Sequence, residues 1–207
     1  MIANTITLLR VGLAFLVVGV FSAGVFPLNL AMLALTVIVI MLDWLDGLIA
    51  RRLGEESRFG ALFDIAGDRI VENVFWIYFS AVQLIPFWVP MVVISRGILS
   101  DLARAMAFAR GKTPFGQTTM MRSGWARLLV ASRFSRGLYA AMKLVAFVCL
   151  GALLVLRSSP PELGLPSAEG WTRAATLIIV YAVVALCVIR GVPVIWGGRR
   201  YLLEKVK

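Results

Sequence analysis

Long apolar runs alternate with short polar or turn-forming connections along this 207-residue chain. A transmembrane helix needs roughly 20 mainly apolar residues to cross the bilayer core. Runs of that length occupy six stretches, at residues 5–23, 28–50, 60–82, 87–109, 133–156 and 172–196. The pattern predicts an all-α integral membrane protein with six transmembrane helices, which form a single membrane domain over residues 1–207.

The remaining segments differ in their polarity. Residues 111–131 are polar and basic and contain helix-breaking glycines and a proline, so we expect a short interfacial helix around residues 119–129. Residues 158–170 contain three prolines and predict an outer loop. The first run has the length of a signal peptide, but Arg10 lies inside it rather than before it. We therefore expect the first run to be a membrane helix.

Charge is distributed unevenly between the connections. The chain is 60% hydrophobic and 15% charged, with a formal net charge of +10. Lys and Arg concentrate at residues 51–58, 104–136 and 199–207, whereas the connections at 21–28 and 84–90 carry no charge. This alternation follows the positive-inside rule. It predicts cytoplasmic termini, basic loops beside anionic lipid headgroups of the inner membrane, and no nucleic-acid partner.

Histidine is absent, and the two cysteines have no partner pattern. Cys149 and Cys187 each lie in an apolar run, where a cysteine usually acts as a small core hydrophobe. Without imidazole, a metal site would depend on oxygen ligands, which favour Mg²⁺, Mn²⁺ or Ca²⁺ over zinc.

Four aspartates stand within or beside the second and third apolar runs: Asp43, Asp46, Asp64 and Asp68. An ionised carboxylate in hydrocarbon is costly, so an acid in a membrane segment is a candidate functional residue.

Helical spacing places these acids in two stripes. On the second helix the i, i+3, i+4 and i+7 positions share one face, and they are Asp43, Asp46, Gly47 and Ala50. On the third helix Gly60, Asp64 and Asp68 follow at i, i+4 and i+8. The short connection between the helices predicts antiparallel neighbours whose acidic faces converge near their cytoplasmic ends.

Four carboxylates this close would repel strongly in a low dielectric. One or two divalent cations, Mg²⁺ or Mn²⁺, would offset the repulsion, and Arg51 would then meet a phosphate. The alternative is a purely structural set of acids in salt bridges with nearby arginines, namely Arg51, Arg52, Arg58 and Arg69.

The same residues resemble the signature of the CDP-alcohol phosphotransferase family, D-x2-D-G-x2-A-R-x8-G-x3-D-x3-D. All eight positions are present, from Asp43 to Asp68. Asn4, Thr7 and Arg10 also resemble the N-x-x-T-x-x-R opening of phosphatidylglycerophosphate synthase-like members, although Ala3 stands where a proline often precedes the asparagine. The two matches cover about the first third of the chain.

The resemblance implies an activity and residue roles. An alcohol would attack the β-phosphorus of a CDP-linked donor, usually CDP-diacylglycerol, and CMP would leave. Asp43, Asp46 and Asp64 would bind metal, and Asp68 would be the general base, with or without a further role as a fourth ligand. The nucleotide and pyrophosphate would contact the remaining motif residues, namely Asn4, Thr7, Gly47, Ala50, Arg51 and Gly60. The resemblance also implies a homodimer.

The acceptor alcohol is less constrained. Five cations on the fourth and fifth helices are candidates for binding it: Arg96, Arg104, Arg133, Arg136 and Lys143. They would suit a phosphorylated acceptor, with glycerol 3-phosphate first, inositol phosphate second, and serine or another neutral alcohol third. Arg104 and Arg133 would otherwise mark the positive side of the membrane, and Asp101 would otherwise pair with Arg96 or Arg104.

Two other classes of protein account for part of the pattern. A divalent-cation transporter would use the same four acids but gives no role to Arg51. A catalytically silent membrane scaffold has no use for so many charges within apolar runs.

Overall fold

The computed structural model describes residues 2–53, 58–109, 130, 132–164 and 168–203. Side chains are described within these ranges except at residues 2, 3, 43–53, 58, 59, 61, 108, 109, 133 and 200–203. The interfacial helix expected around residues 119–129 lies outside the described residues.

The described chain is helical and contains no strand. Its α-helices are α1 (Ile2–Phe21), α2 (Phe26–Leu53), α3 (Arg58–Ala81), α4 (Trp88–Ala109), α5 (Arg133–Ser158) and α6 (Glu169–Leu203). A short 3₁₀ turn, Pro161–Leu163, follows α5. Each of the six predicted apolar stretches falls on one of these helices, so the prediction of an all-α protein is confirmed.

Three of these helices are long and apolar enough to cross a membrane, at Asn4–Phe21, Phe134–Ser158 and Glu169–Arg199. The apolar part of α2 is shorter, Phe26–Leu42, because Asp43 and Asp46 follow it. Charged residues also interrupt α3 and α4. The protein is therefore a membrane protein, while the count of six spans and the orientation of the termini stay predictions.

The chain forms two compact units. The first unit comprises Met1–Phe87 and Leu144–Ile178, and the second comprises Trp88–Lys143 and Ile179–Lys207. This division describes compactness alone, so the single functional domain over residues 1–207 stays a prediction.

Aromatic rings fill the centre of the first unit. Phe75, Trp76 and Phe79 on α3 are fully buried. The ring of Phe147 on α5 lies 5.2 Å from that of Phe75 and 4.8 Å from that of Trp76. Such tilted and edge-on pairs are favourable beyond the area they bury. These aromatic residues of α3 therefore belong to the core of the first unit.

Helix α1 packs against both α2 and α3. It runs parallel to α3, because Thr7 lies beside Gly67 near one end and the Phe21 ring stacks on Tyr78 further along, at 6.2 Å. A tight turn with Gly24 at φ 67° reverses the chain into α2. The C-terminal end of α2 therefore returns to the end of the unit where α1 and α3 begin.

Hydrogen bonds tie the opposite end of the first unit together. The Asn29 side chain is buried near the start of α2, and its Nδ2 donates to Ser158 Oγ at 2.9 Å and to the Leu154 carbonyl at 3.4 Å. Nearby, Arg157 Nε donates to Glu169 Oε1 at 2.6 Å.

Both cysteines are free, and Cys187 is buried, as expected for small core residues.

Gly67 allows α1 and α3 to approach each other closely. A Cβ at this position would lie 2.4 Å from Thr7 Cγ2, and Thr7 is itself buried, so one of the helices would have to shift. We expect Gly67→Ala to lower the free energy of unfolding by about 1–3 kcal/mol, as overpacking of a core usually does. Thermal unfolding in detergent measures the effect.

Gly12→Ala, on α1, is the matched control, because a Cβ at Gly12 would meet no described residue within 4 Å. The control should be neutral or stabilising, since alanine favours the helix more than glycine does. Equal stability of the two variants would contradict close packing at Gly67.

Candidate functional site

The two halves of the acidic motif lie on the helices that α1 contacts. The backbone of α2 is helical from Asp43 through Arg51, which is the predicted register for the first half. The structure does not describe the side chains of the first half, which are those of Asp43, Asp46, Ala50 and Arg51. Their convergence with the second half of the motif therefore stays a prediction. Gly47 belongs to the same helical segment.

The second half of the motif is described in full. Gly60, Asp64 and Asp68 follow one another by a helical turn on α3, as the spacing predicts. The side chains of Asp64 and Asp68 are 44% and 45% exposed, so a ligand can reach both carboxylates.

A buried guanidinium from α1 meets these two carboxylates. Arg10 is 1% exposed, and its Nη2 donates to Asp68 Oδ1 at 2.5 Å and lies 3.5 Å from Asp64 Oδ1. A buried charge is costly unless it is paired. The two aspartates therefore provide the compensation that allows Arg10 to lie inside the first unit.

The other N-terminal motif residues lie on the same helix. Thr7 is 2% exposed and its methyl group packs against Gly67. Asn4, one turn earlier, is half-buried. These positions place the N-terminal motif beside α3, next to the second half of the acidic motif, while contact with a nucleotide stays a prediction.

The available donors fit an oxygen-ligated cation. Asp64 and Asp68 are carboxylates on one helix face, both partly exposed, and no histidine exists in the chain to offer nitrogen. Among the described side chains no group of three metal-binding residues occurs. A full ligand set would therefore require Asp43 and Asp46, whose side chains are not described.

A second cluster of charge occurs in the second unit, around the ring of Tyr139 on α5. The Arg190 guanidinium lies 5.6 Å from the ring centre, Lys143 Nζ lies 5.7 Å from it, and the Arg96 guanidinium lies 6.0 Å from it. Three helices, α4, α5 and α6, thus each bring a cation to one aromatic side chain. We call Arg96, Tyr139, Lys143 and Arg190 the basic cluster.

Two buried hydrogen-bond donors of the basic cluster have no partner among the described residues. Arg190 is 7% exposed, and its Nη1 donates to Ser135 Oγ. The Nε atoms of Arg96 and Arg190 are buried without a hydrogen-bond partner among the described residues. Attraction of each cation to the Tyr139 ring is worth about 0.5–2 kcal/mol. The cations around the ring also repel one another, because like charges repel in a low dielectric. The arrangement fits an anionic ligand.

Gly191 lets Arg96 reach the cluster. A Cβ at Gly191 would lie 2.6 Å from Arg96 Cγ and 2.7 Å from Arg96 Nε. The side chain of Arg96 therefore passes directly over the α6 backbone beside Arg190.

Of the other predicted acceptor residues, Arg136 lies close enough to Arg190 for their like charges to repel each other. Arg104 Nη1 lies 3.5 Å from Asp101 Oδ1, one turn earlier on α4. This is one of the two alternative pairings that the sequence offered for Asp101. Arg136 is exposed on α5, and the side chain of Arg133 lies outside the described residues. Of the five predicted cations, the structure places Arg96 and Lys143 against the Tyr139 ring.

Two residues acquire importance only in the structure. Arg190 has a sequence signal, because it is a lone cation within the apolar run of α6, which is the usual mark of a functional charge in a membrane segment. Arg10 is likewise a lone cation within the apolar helix α1. The N-terminal motif includes it but assigns it no role. Their partners, Tyr139 and Asp68, are distant in sequence and were not predictable from spacing.

Comparison with known proteins agrees with the motif. The family model of the CDP-alcohol phosphatidyltransferases matches residues 1–199. A Bacillus subtilis protein named CDP-diacylglycerol–glycerol-3-phosphate 3-phosphatidyltransferase is 27% identical over 104 residues, which is 50% of this chain and 54% of the relative. Proteins of Mycobacterium tuberculosis and Mycobacterium bovis named "Putative cardiolipin synthase" are 36% identical over 69 residues, 33% of each chain.

These matches differ in how much they cover. The matched region spans about a third of the mycobacterial relatives and about half of the Bacillus relative, whereas the family model extends over nearly the whole chain. Both relatives carry names of enzymes that handle phospholipids, but the two names differ, so they do not identify one acceptor. By the extent of the family match, the chain belongs to the CDP-alcohol phosphatidyltransferase family.

Proposed function

We propose that this protein transfers a phosphatidyl group from CDP-diacylglycerol to an alcohol and releases CMP, as a step in phospholipid biosynthesis. The observation that carries the proposal is the unbroken eight-position motif, within a chain that the family model matches over residues 1–199. The described half of that motif supports it, because Asp64 and Asp68 share one accessible helix face.

In this reaction the alcohol oxygen forms a bond to the β-phosphorus, the bond from that phosphorus to the CMP oxygen breaks, and Asp68 takes the hydroxyl proton. Asp43, Asp46 and Asp64, with or without Asp68, would hold one or two Mg²⁺ or Mn²⁺ ions. Bound cations would neutralise the pyrophosphate as charge develops on the leaving CMP. Asn4, Thr7, Gly47, Ala50, Arg51 and Gly60 would line the nucleotide and pyrophosphate site.

The membrane location suits this donor. Its acyl chains must stay in lipid while its nucleotide is in water, so a site at the ends of membrane helices serves both. We propose that this end faces the cytoplasm across the inner membrane, because the basic connection between α2 and α3 lies there. We also propose a homodimer, which rests on family resemblance alone.

For the acceptor we propose glycerol 3-phosphate, with inositol phosphate as the alternative. The basic cluster supports a phosphorylated acceptor, because three cations converge on Tyr139 and two buried Nε donors have no partner among the described residues. The name of the Bacillus relative supports glycerol 3-phosphate in particular. Arg104, Arg133 and Arg136 stay candidates for further contacts.

Purified protein given labelled CDP-diacylglycerol, Mg²⁺ or Mn²⁺ and a panel of acceptors should release CMP, fastest with a phosphorylated alcohol. Asp68→Asn keeps the size of the side chain but removes the base, so we expect CMP release to fall by about 10²–10⁴-fold. Thermal unfolding of the variant establishes that it is folded. Undiminished release would refute the assignment of Asp68, and metal flux into liposomes without CDP-diacylglycerol would indicate a transporter instead.

Arg190→Gln removes one of the three cations of the basic cluster while keeping a hydrogen-bond donor for Ser135. We expect the KM for the phosphorylated acceptor to rise by about tenfold or more, as loss of a charged hydrogen bond does, with little change in the KM for the donor. Steady-state kinetics with each substrate varied in turn measures this split. Equal effects on both substrates would indicate a general structural role.

Gly191→Ala tests the same cluster without changing any charge. The new methyl group must displace the flexible side chain of Arg96, so the acceptor KM should rise while the fold persists. Gly137→Ala on α5 is the matched control, because a Cβ there would meet nothing within 4 Å in the described part of the chain. Similar kinetics of both variants would contradict a role for Arg96 in acceptor binding.

A further inference from the structure

The contact between Arg10 and the acidic stripe of α3 goes beyond the roles that the motif implies. Arg10 lies on α1, which contributes none of the eight motif positions, yet it is the cation that α1 brings to Asp64 and Asp68. The contact bridges 54 and 58 residues of sequence. It therefore depends on the packing of α1 against α3 at Thr7 and Gly67.

The charges explain what this contact does. Two carboxylates one helical turn apart repel each other, and the predicted approach of Asp43 and Asp46 would increase the repulsion. The guanidinium is 1% exposed and cannot turn to water, so it stays against the carboxylates as a fixed positive charge. A planar guanidinium also suits two carboxylates better than an ammonium does, because its donors lie in a rigid fork.

We propose that Arg10 is a positioning residue that serves as a built-in counter-ion of the acidic site. It holds Asp64 and Asp68 in place while no divalent cation is bound, and it shares their negative charge with the cations that bind. The proposal rests on the proposed function insofar as that function makes these aspartates metal ligands.

This role has a consequence that simple structural support does not have. With Arg10 neutralised, the acidic stripe loses this fixed positive charge, so a bound divalent cation offsets a larger share of the repulsion between Asp64 and Asp68. The stability of such a variant should depend on divalent cations far more than that of the original protein does. Its affinity for the cation should also rise, because a competing positive charge has been removed.

The test compares thermal unfolding of detergent-purified, substrate-free protein in EDTA and in millimolar Mg²⁺. We expect Arg10→Gln to lower the melting temperature in EDTA by roughly 5–10 °C, the scale for breaking a buried ion pair. Mg²⁺ should restore much of this loss, and Arg10→Lys, which keeps the charge, should lie between the two. Mn²⁺ titration followed by electron paramagnetic resonance should give a lower dissociation constant for Arg10→Gln.

Arg157→Gln is the matched control, since Arg157 also pairs with one carboxylate, Glu169, but at the opposite end of the first unit. Its response to Mg²⁺ should equal that of the original protein. If Arg10→Gln is too unstable to handle in EDTA, adding Asp68→Asn should restore stability, because it removes the carboxylate that Arg10 compensates.

Two results would overturn the proposal: the same Mg²⁺-induced shift in Arg10→Gln and in the original protein, or no recovery in the double variant. Neither measurement uses turnover. Failure of CMP release with the metal-dependent shift intact would therefore refute the proposed function and leave the role of Arg10 standing. CMP release without the metal-dependent shift would refute the role of Arg10 and leave the proposed function standing.

Discussion

An ion pair between the buried Arg10 of α1 and two partly exposed carboxylates of α3 organises the acidic end of this protein. Arg10 is inside an apolar helix and meets Asp68 at 2.5 Å and Asp64 at 3.5 Å. A charged side chain in such a helix is tolerated only where a partner or a ligand compensates it. The close approach at Gly67 makes the contact possible, because a side chain there would push the two helices apart. Packing and electrostatics therefore constrain the same pair of helices at the same place.

The two units of the chain place opposite charges on their helices. In the first unit, carboxylates on α3 share one accessible face. In the second unit, cations from three helices surround Tyr139 with buried donors that no described residue satisfies. The proposed reaction would use both sets of charges, since cations bound to the carboxylates would hold the pyrophosphate and the fixed cations would hold the phosphate of a phosphorylated acceptor. The proposed reaction gives a use to each set of charges, whereas a cation transporter would use only the acids.

Aromatic packing and hydrogen bonds hold the helices of the first unit together away from its acidic end. Phe75, Trp76 and Phe147 form a buried aromatic centre in the first unit, and Asn29 joins α2 to the end of α5 by hydrogen bonds. These contacts lie away from the acidic end. They hold the helices together without relying on the charged residues, so the acids can remain partly exposed and available to ligands.

The sequence by itself determined the helices and the register of the motif. Apolar runs of about 20 residues must be helical in lipid, because backbone groups there have no water to bond to, and the spacing of Gly60, Asp64 and Asp68 placed them on one face of α3. It also named Arg96 and Lys143 among the five cations that would bind a phosphorylated acceptor. Only the tertiary structure decided which partners the buried charges meet. Arg10 and Asp68 are 58 residues apart, and Arg190 and Ser135 are 55 apart. Such pairs depend on which helices pack together and at what depth, and helical periodicity contains no information about either.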